Sequence, residues 1–170
     1  MKRRRIILIL VALILFGFPS LLVAIALSNG APLFAPPGPI VRLSRYLSEN
    51  SIDTRSKDSF PEVSPIVLEG NREESFDRVK KVASDLGWEE VEIDPEKFTL
   101  HAIDKTSLWR FVDDIHIEVI EGANGYSTIQ FRSESRVGQG DLGANLGRYL
   151  RFEKTLESVE SNGEKSPLRG

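Results

Sequence analysis

The chain contains no cysteine. That excludes a disulfide, a thiolate nucleophile, a zinc–thiolate centre and the cysteine-linked anchor of a bacterial lipoprotein. Histidine is nearly absent as well: His101 and His116 are the only two, on separate predicted strands, and no His-Glu-x-x-His motif occurs. A facing His101, with His116 and Glu118 pointing the same way as each other, would make a weak metal site at most. No serine stands in a Gly-x-Ser-x-Gly elbow, and no lysine-bearing phosphate loop is present. These absences leave no catalytic residue set, metal or cofactor to expect.

Charge is missing from residues 6–27 altogether, 22 apolar or small positions in a row. At about 1.5 Å per residue such a helix crosses a hydrocarbon core of about 30 Å. Lys2, Arg3, Arg4 and Arg5 precede it, which keeps the N-terminus cytoplasmic and puts the following domain outside the cytoplasm. The expectation is a single-pass protein of the cell membrane, with Pro19 as a position for a kink. The competing expectation is a secreted or periplasmic protein cleaved near Ala26, since Ala24-Ile25-Ala26 has the small-x-small form of a signal site. The apolar run exceeds the usual 7–15-residue signal core, so the anchor is preferred. No acidic residue precedes position 30, and beyond the basic flank 18 basic residues face 25 acidic ones, a net −7. An acidic body argues against nucleic acid as a partner.

Composition then divides the chain into a basic flank (1–5), the apolar anchor (6–27), a proline-rich linker (28–39), a domain (40–160) and a disordered tail (161–170). Within the domain, Ile40, Leu43, Tyr46 and Leu47 repeat at helical spacing over 39–48. Residues 49–65 are polar and irregular, and Ile66-Val67-Leu68 reads as a short strand. Asn71 caps a helix with the stripe Phe76, Val79, Val82, Ala83 and Leu86, ended by Gly87. Trp88, Val91 and Ile93 alternate with acids on a strand with a slip near Glu90. Phe98, Leu100 and Ala102 mark the next strand. Over 108–121 the period of two puts Trp109, Phe111, Asp113, Ile115, Ile117 and Val119 on one face. A Gly122-to-Gly125 hairpin returns the chain through Ile129 and Phe131. Asp141 caps a last helix lined by Leu142, Leu146, Tyr149, Phe152, Leu156 and Val159. The fold class is α+β: an antiparallel sheet of about four or five strands with helices packed on one face, preceded by one N-terminal transmembrane helix.

The stretch Arg132-Ser133-Glu134-Ser135-Arg136-Val137-Gly138-Gln139-Gly140-Asp141-Leu142-Gly143-Ala144-Asn145, with Arg148 beyond it, is too polar and too rich in glycine to be generic. Polar groups inside a domain must be paired. Asp113 faces inward among apolar neighbours and Asp114 outward; Arg132 or Arg136 is the expected partner of the buried acid. A structural ion pair is preferred to a proton-transfer carboxylate, because an arginine partner lowers an acid's pKa. The helix opening after Asp141, with Arg136 and Arg148 near it, is a candidate pocket for a carboxylate, phosphate or headgroup. Asp141 itself would occupy those N–H donors, so a self-satisfied network is preferred.

These residues carry a resemblance. Phe111-Val112-Asp113-Asp114, followed by Arg132-Ser133-x-Ser135-Arg136-Val137-Gly138-x-x-Asp141-Leu142-Gly143-x-Asn145, resemble the domain of unknown function 1499 family over roughly residues 48–157. Asn50-Ser51 and Pro65-Ile66 resemble its earlier portion. The family implies uncharacterised, mostly bacterial proteins, often with membrane segments, and no reaction. Its members often carry a basic residue after the asparagine, where this chain has Leu146-Gly147. The expected role is a binding or scaffolding module of the cell envelope, its partner an envelope protein or a small anionic ligand. The alternative is a hydrolase acting on an envelope component. Asp113, Asp114, Arg132, Ser133, Ser135, Arg136, Asp141, Asn145 and Arg148 are the expected polar cluster. A module predicts that they are buried and mutually paired; an enzyme predicts a water-filled cleft with an unpaired acid or arginine.

Overall fold

The computed structural model describes residues 2–106 and 110–164. Its apolar helix runs from α1 (Lys2–Ala12) through a π-helical turn (Leu13–Gly17) into α2 (Phe18–Ser28). Pro19 has no N–H to offer the preceding turn, and that turn widens, the Phe18 N–H reaching back to the Leu13 carbonyl. Residues Arg3–Ser28 are long and apolar enough to cross a membrane, and side chains from Ile6 to Phe18 lie exposed.

The expected linker is not slack. Ala31 and Leu33 are buried in the domain core. The buried Arg42 of α3 (Pro39–Ser48) donates to the carbonyls of Ala35 and Pro36 and forms a two-bond pair with Glu62. Prolines stop the helix, as their chemistry requires, but the segment is packed down rather than free.

Among the described residues six strands form one antiparallel sheet: β1 (Ser51–Asp53), β2 (Ile66–Glu69), β3 (Glu89–Asp94), β4 (Thr99–Lys105), β5 (Val112–Glu121) and β6 (Tyr126–Ser135). Their order is β1-β6-β5-β4-β3, with β2 pairing farther along β6. The sixth strand, β1, comes from the stretch expected to be irregular; three residues are too few for a hydrophobic period to register. α4 (Arg72–Asp85) begins with a capping box, the Asn71 side chain accepting from the Glu74 N–H at 2.9 Å. It packs with α5 (Ala144–Glu164) over one face of the sheet. Leu100, Ala102, Ile115, Ile117, Val119, Ile129 and Phe131 bury against the helices, and Trp88 stacks on Phe152 at 5.6 Å.

Two expectations about faces need correction. Val91 and Ile93 are exposed, at 53% and 39%, because β3 is an edge strand whose register shifts between Glu90 and Glu92. Phe111 does not continue the inner stripe: β5 starts at Val112, after Arg110 takes a positive φ of 53° and turns the chain. Trp109, placed on the same stripe, lies outside the described residues. α5 continues to Glu164, past the apolar stripe that ends at Val159; the rest of the expected tail, 165–170, is also outside them.

Candidate functional site

The inner stripe of β4 is Leu100, Ala102 and then Asp104. On β5 it begins at Asp113. The register sets Asp104 directly opposite Asp113, so two carboxylates stand side by side on the face that α5 covers. Like charges in that position repel. Arg148 resolves the conflict, because helical spacing with Tyr149 and Phe152 aims it at the sheet. Its Nε donates to Asp104 at 2.9 Å and its Nη2 to Asp113 at 2.6 Å, while Nη1 donates to Ser133 Oγ at 3.0 Å and Asn145 Oδ1 at 2.7 Å.

Asn145 ties this network to the rest. Its Oδ1 accepts from the Ser133 hydroxyl at 2.6 Å; its Nδ2 donates to the Asn50 carbonyl at 2.8 Å and to Ser135 Oγ at 3.1 Å. The Asp141 carboxylate accepts from the N–H groups of Gly143 (2.8 Å) and Asn145 (2.9 Å). The helix opening expected to attract an anion is thus held by the chain's own carboxylate. Burial pushes the Asp141 pKa up, against the pull of those two N–H bonds. Asp113 Oδ1 is the one buried side-chain polar atom without a hydrogen-bond partner among the described residues.

The other expected residues lie elsewhere. Asp114 points to the open face, where Arg136 grips it with bonds of 2.7 and 2.8 Å and His101 Nε2 approaches to 2.8 Å. The Arg136 bonds, then His101, hold its carboxyl well below the usual carboxylate range. Arg132, on the same face, pairs with Glu134 at 2.6 Å and Asp53 at 3.6 Å. Neither Arg132 nor Arg136 is therefore the partner of Asp113. The alternation that turns Phe131 and Ser133 inward turns Arg132 outward, and Arg136 lies past the strand end. His101 and His116 pair across β4 and β5 and stack ring on ring at 4.3 Å. Loss of hydration and the neighbouring His101 push the His116 pKa down. Among the described residues no three histidines or carboxylates gather as a metal site would need.

Asp104, Asn50 and His101 escaped the expected cluster. Asp104 had a signal: it extends the alternation of Leu100 and Ala102 by one step. Asn50 meets Asn145 through its backbone carbonyl, which no side-chain pattern reports, and its Nδ2 donates to the Gly138 carbonyl at 2.8 Å.

The network touches solvent at one end. Asp104 and Arg148 floor a polar cavity of about 220 Å³, bordered by Ser28, Asn29, Lys105, Thr106 and Arg151. On the other side of Asn29 and Thr106 lies an apolar cleft of about 110 Å³ lined by Ile25, Phe111, Val137 and Leu142. The apolar helix ends between them in close contact with the domain. Asn29 Nδ2 donates to the Leu142 carbonyl at 3.1 Å, and Arg151 donates to the Asn29 carbonyl at 2.9 Å. Gly147 and Gly143 make this approach possible: a Cβ on Gly147 would stand 1.9 Å from the Asn29 oxygen, and one on Gly143 would stand 2.4 Å from the Ala31 Cβ.

Fold and network together define a small α+β domain whose last helix clamps the sheet on one side and receives the end of a long apolar helix on the other. The chain belongs to the family described as Protein of unknown function (DUF1499), whose model matches residues 44–156, bounds that enclose every member of the buried network. No curated protein matches the chain.

Proposed function

We propose that this protein is a membrane-anchored, extracytoplasmic binding or scaffolding module of the cell envelope. The apolar helix is its single span, the cationic residues 2–5 stay cytoplasmic, and the acidic domain stands outside. Its partners are the bilayer and an envelope protein or small anionic ligand, not nucleic acid.

The observation that carries this reading is the pairing of Asp113 with Arg148 out of reach of solvent. Asp113 is 0% exposed and Arg148 1%, and each has the other as its ion-pair partner. A hydrolase needs an acid free to exchange a proton with a substrate in a cleft. Asp113 is shut away from solvent, and Asp114 is kept ionised by Arg136 and His101. These residues therefore support a structural joint, one that locks sheet to helix and helix to span, better than they support a reaction centre.

Fractionation tests it. The full-length chain should stay in carbonate-washed membranes, and protease added outside spheroplasts should digest the domain. Recovery of the intact chain from the cytosol, release of a shortened chain cut near Ala26, or protection that only lysis removes would overturn the anchored, outward-facing reading.

A further inference from the structure

The acidic body gathers cations in one concavity. Arg148, Arg151 and Lys105 line the polar cavity beside the end of the apolar helix, against the single carboxylate of Asp104. On its floor Arg148 is taken up by Asp104 at 2.9 Å and by the buried Asp113 at 2.6 Å, and offers no spare charge. Lys105 pairs with Glu89 at the rim, at 3.1 Å with both groups exposed, a contact of little strength in water. Arg151 is different. It donates to the Asn29 carbonyl, and among the described residues no carboxylate lies within ion-pair distance of it. Partial burial and the adjacent Arg148 push its pKa down, against the pull of Asp104.

The height of this cavity is fixed by the helix. From Ile6, about 30 Å of hydrocarbon at about 1.5 Å per residue is used up near Ile25. Ser28 and Asn29, on the cavity wall, then fall at the level of phospholipid headgroups. The neighbouring cleft agrees independently. It shares Asn29 and Thr106 with the cavity, yet is lined by Ile25 and Leu142 and flanked by the exposed Phe111 and Val137. Apolar side chains and cations thus flank the helix end together, as an interface between acyl chains and headgroups requires.

We infer that the polar cavity binds the phosphate of an anionic phospholipid headgroup, drawn from the leaflet in which the helix ends. The remaining Arg151 N–H groups, the Lys105 ammonium and the Thr106 hydroxyl supply the donors. This inference rests on the membrane-anchored reading and adds a ligand class to it.

The test uses the full chain in a neutral detergent, titrated with short-chain phosphatidylglycerol, short-chain phosphatidylcholine or inorganic phosphate, with melting temperature as the readout. Phosphatidylglycerol should raise the melting temperature; phosphatidylcholine and inorganic phosphate should not. Arg151→Gln should weaken the phosphatidylglycerol response about tenfold, the loss of one charge-assisted hydrogen bond. Because Arg151 also holds Asn29, Lys105→Gln serves as a second variant and should weaken it severalfold. Lys81→Gln, on the exposed side of α4, should leave it unchanged. Equal responses to the two lipids, equal affinity for free phosphate, or undiminished binding in both cavity variants would overturn the inference. Carbonate extraction of the same chain separates the two failures: a membrane-resident chain indifferent to headgroup charge loses only this inference, whereas a soluble chain loses the anchored reading as well.

Discussion

Asp113 has one oxygen bonded to Arg148 and one bare, in a place with no exposure to water. Removing its charge leaves Arg148 balanced by Asp104 alone and puts an amide where no partner awaits it. Asp113→Asn should cost about 2 kcal/mol, the loss of one charge-assisted hydrogen bond in a buried place, in urea denaturation of the purified chain. Arg148→Met should cost more, since it strands two facing carboxylates, and the two changes should couple rather than add. On the open face the sign of the pH response follows from two depressed values. Asp114 titrates below its ordinary 3.8 when folded, so its contribution is full above that value and is lost as acid protonates it. His116 titrates below its ordinary 6.5, pushed down by lost hydration and the neighbouring His101; Arg132 faces it as a cation, Asp114 and Glu134 as anions. The unfolded chain therefore takes up a proton first as pH falls below about 6.5, and stability declines with it. Melting temperatures at pH 7 and about pH 5.5 should show a drop that His116→Gln reduces.

Among the elements, α5 serves two surfaces at once. Arg148, Tyr149 and Phe152 face the sheet, while Gly143, at the turn into the helix, and Gly147 admit the end of the apolar helix. Replacing glycine by alanine inside a helix ordinarily gains about 1 kcal/mol. At Gly147 the sign should reverse, because the added methyl would meet the backbone oxygen of Asn29. Overpacking of this kind costs about 1–3 kcal/mol, so Gly147→Ala should lower the melting temperature and make the 28–33 segment more susceptible to protease. What could be read from sequence follows the same division. α4 was legible because its cap, stripe and terminal glycine all agree, and Asp113 could be placed inside from period alone. Its partner could not be read by proximity along the chain. It required combining the strand period, which expels Arg132, with the helix period, which turns Arg148 inward. The β3 pattern misled because an edge strand with a shifted register leaves its valine and isoleucine in water. The joint at Asn29 left no trace beyond glycines, whose sequence signature is the same for a flexible turn and for a close contact.

At the scale of the molecule, the folded unit and the family match do not coincide. The match begins at residue 44, yet Ala26, Ala31 and Leu33 belong to the core. A chain lacking residues 1–38 gives up that burial, on the order of 3 kcal/mol for one leucine and two alanines. It should melt below a chain lacking only residues 1–22, which keeps it. The same packing determines how the domain is carried. With the proline-rich segment pinned by Arg42 and the helix end gripped at Asn29, no swivel separates shaft from head. A single-span helix adapts to bilayers of different thickness by leaning. On the proposed anchoring, every degree of lean would be handed on to the six-stranded sheet, so that membrane thickness would set the angle at which its open face meets whatever approaches.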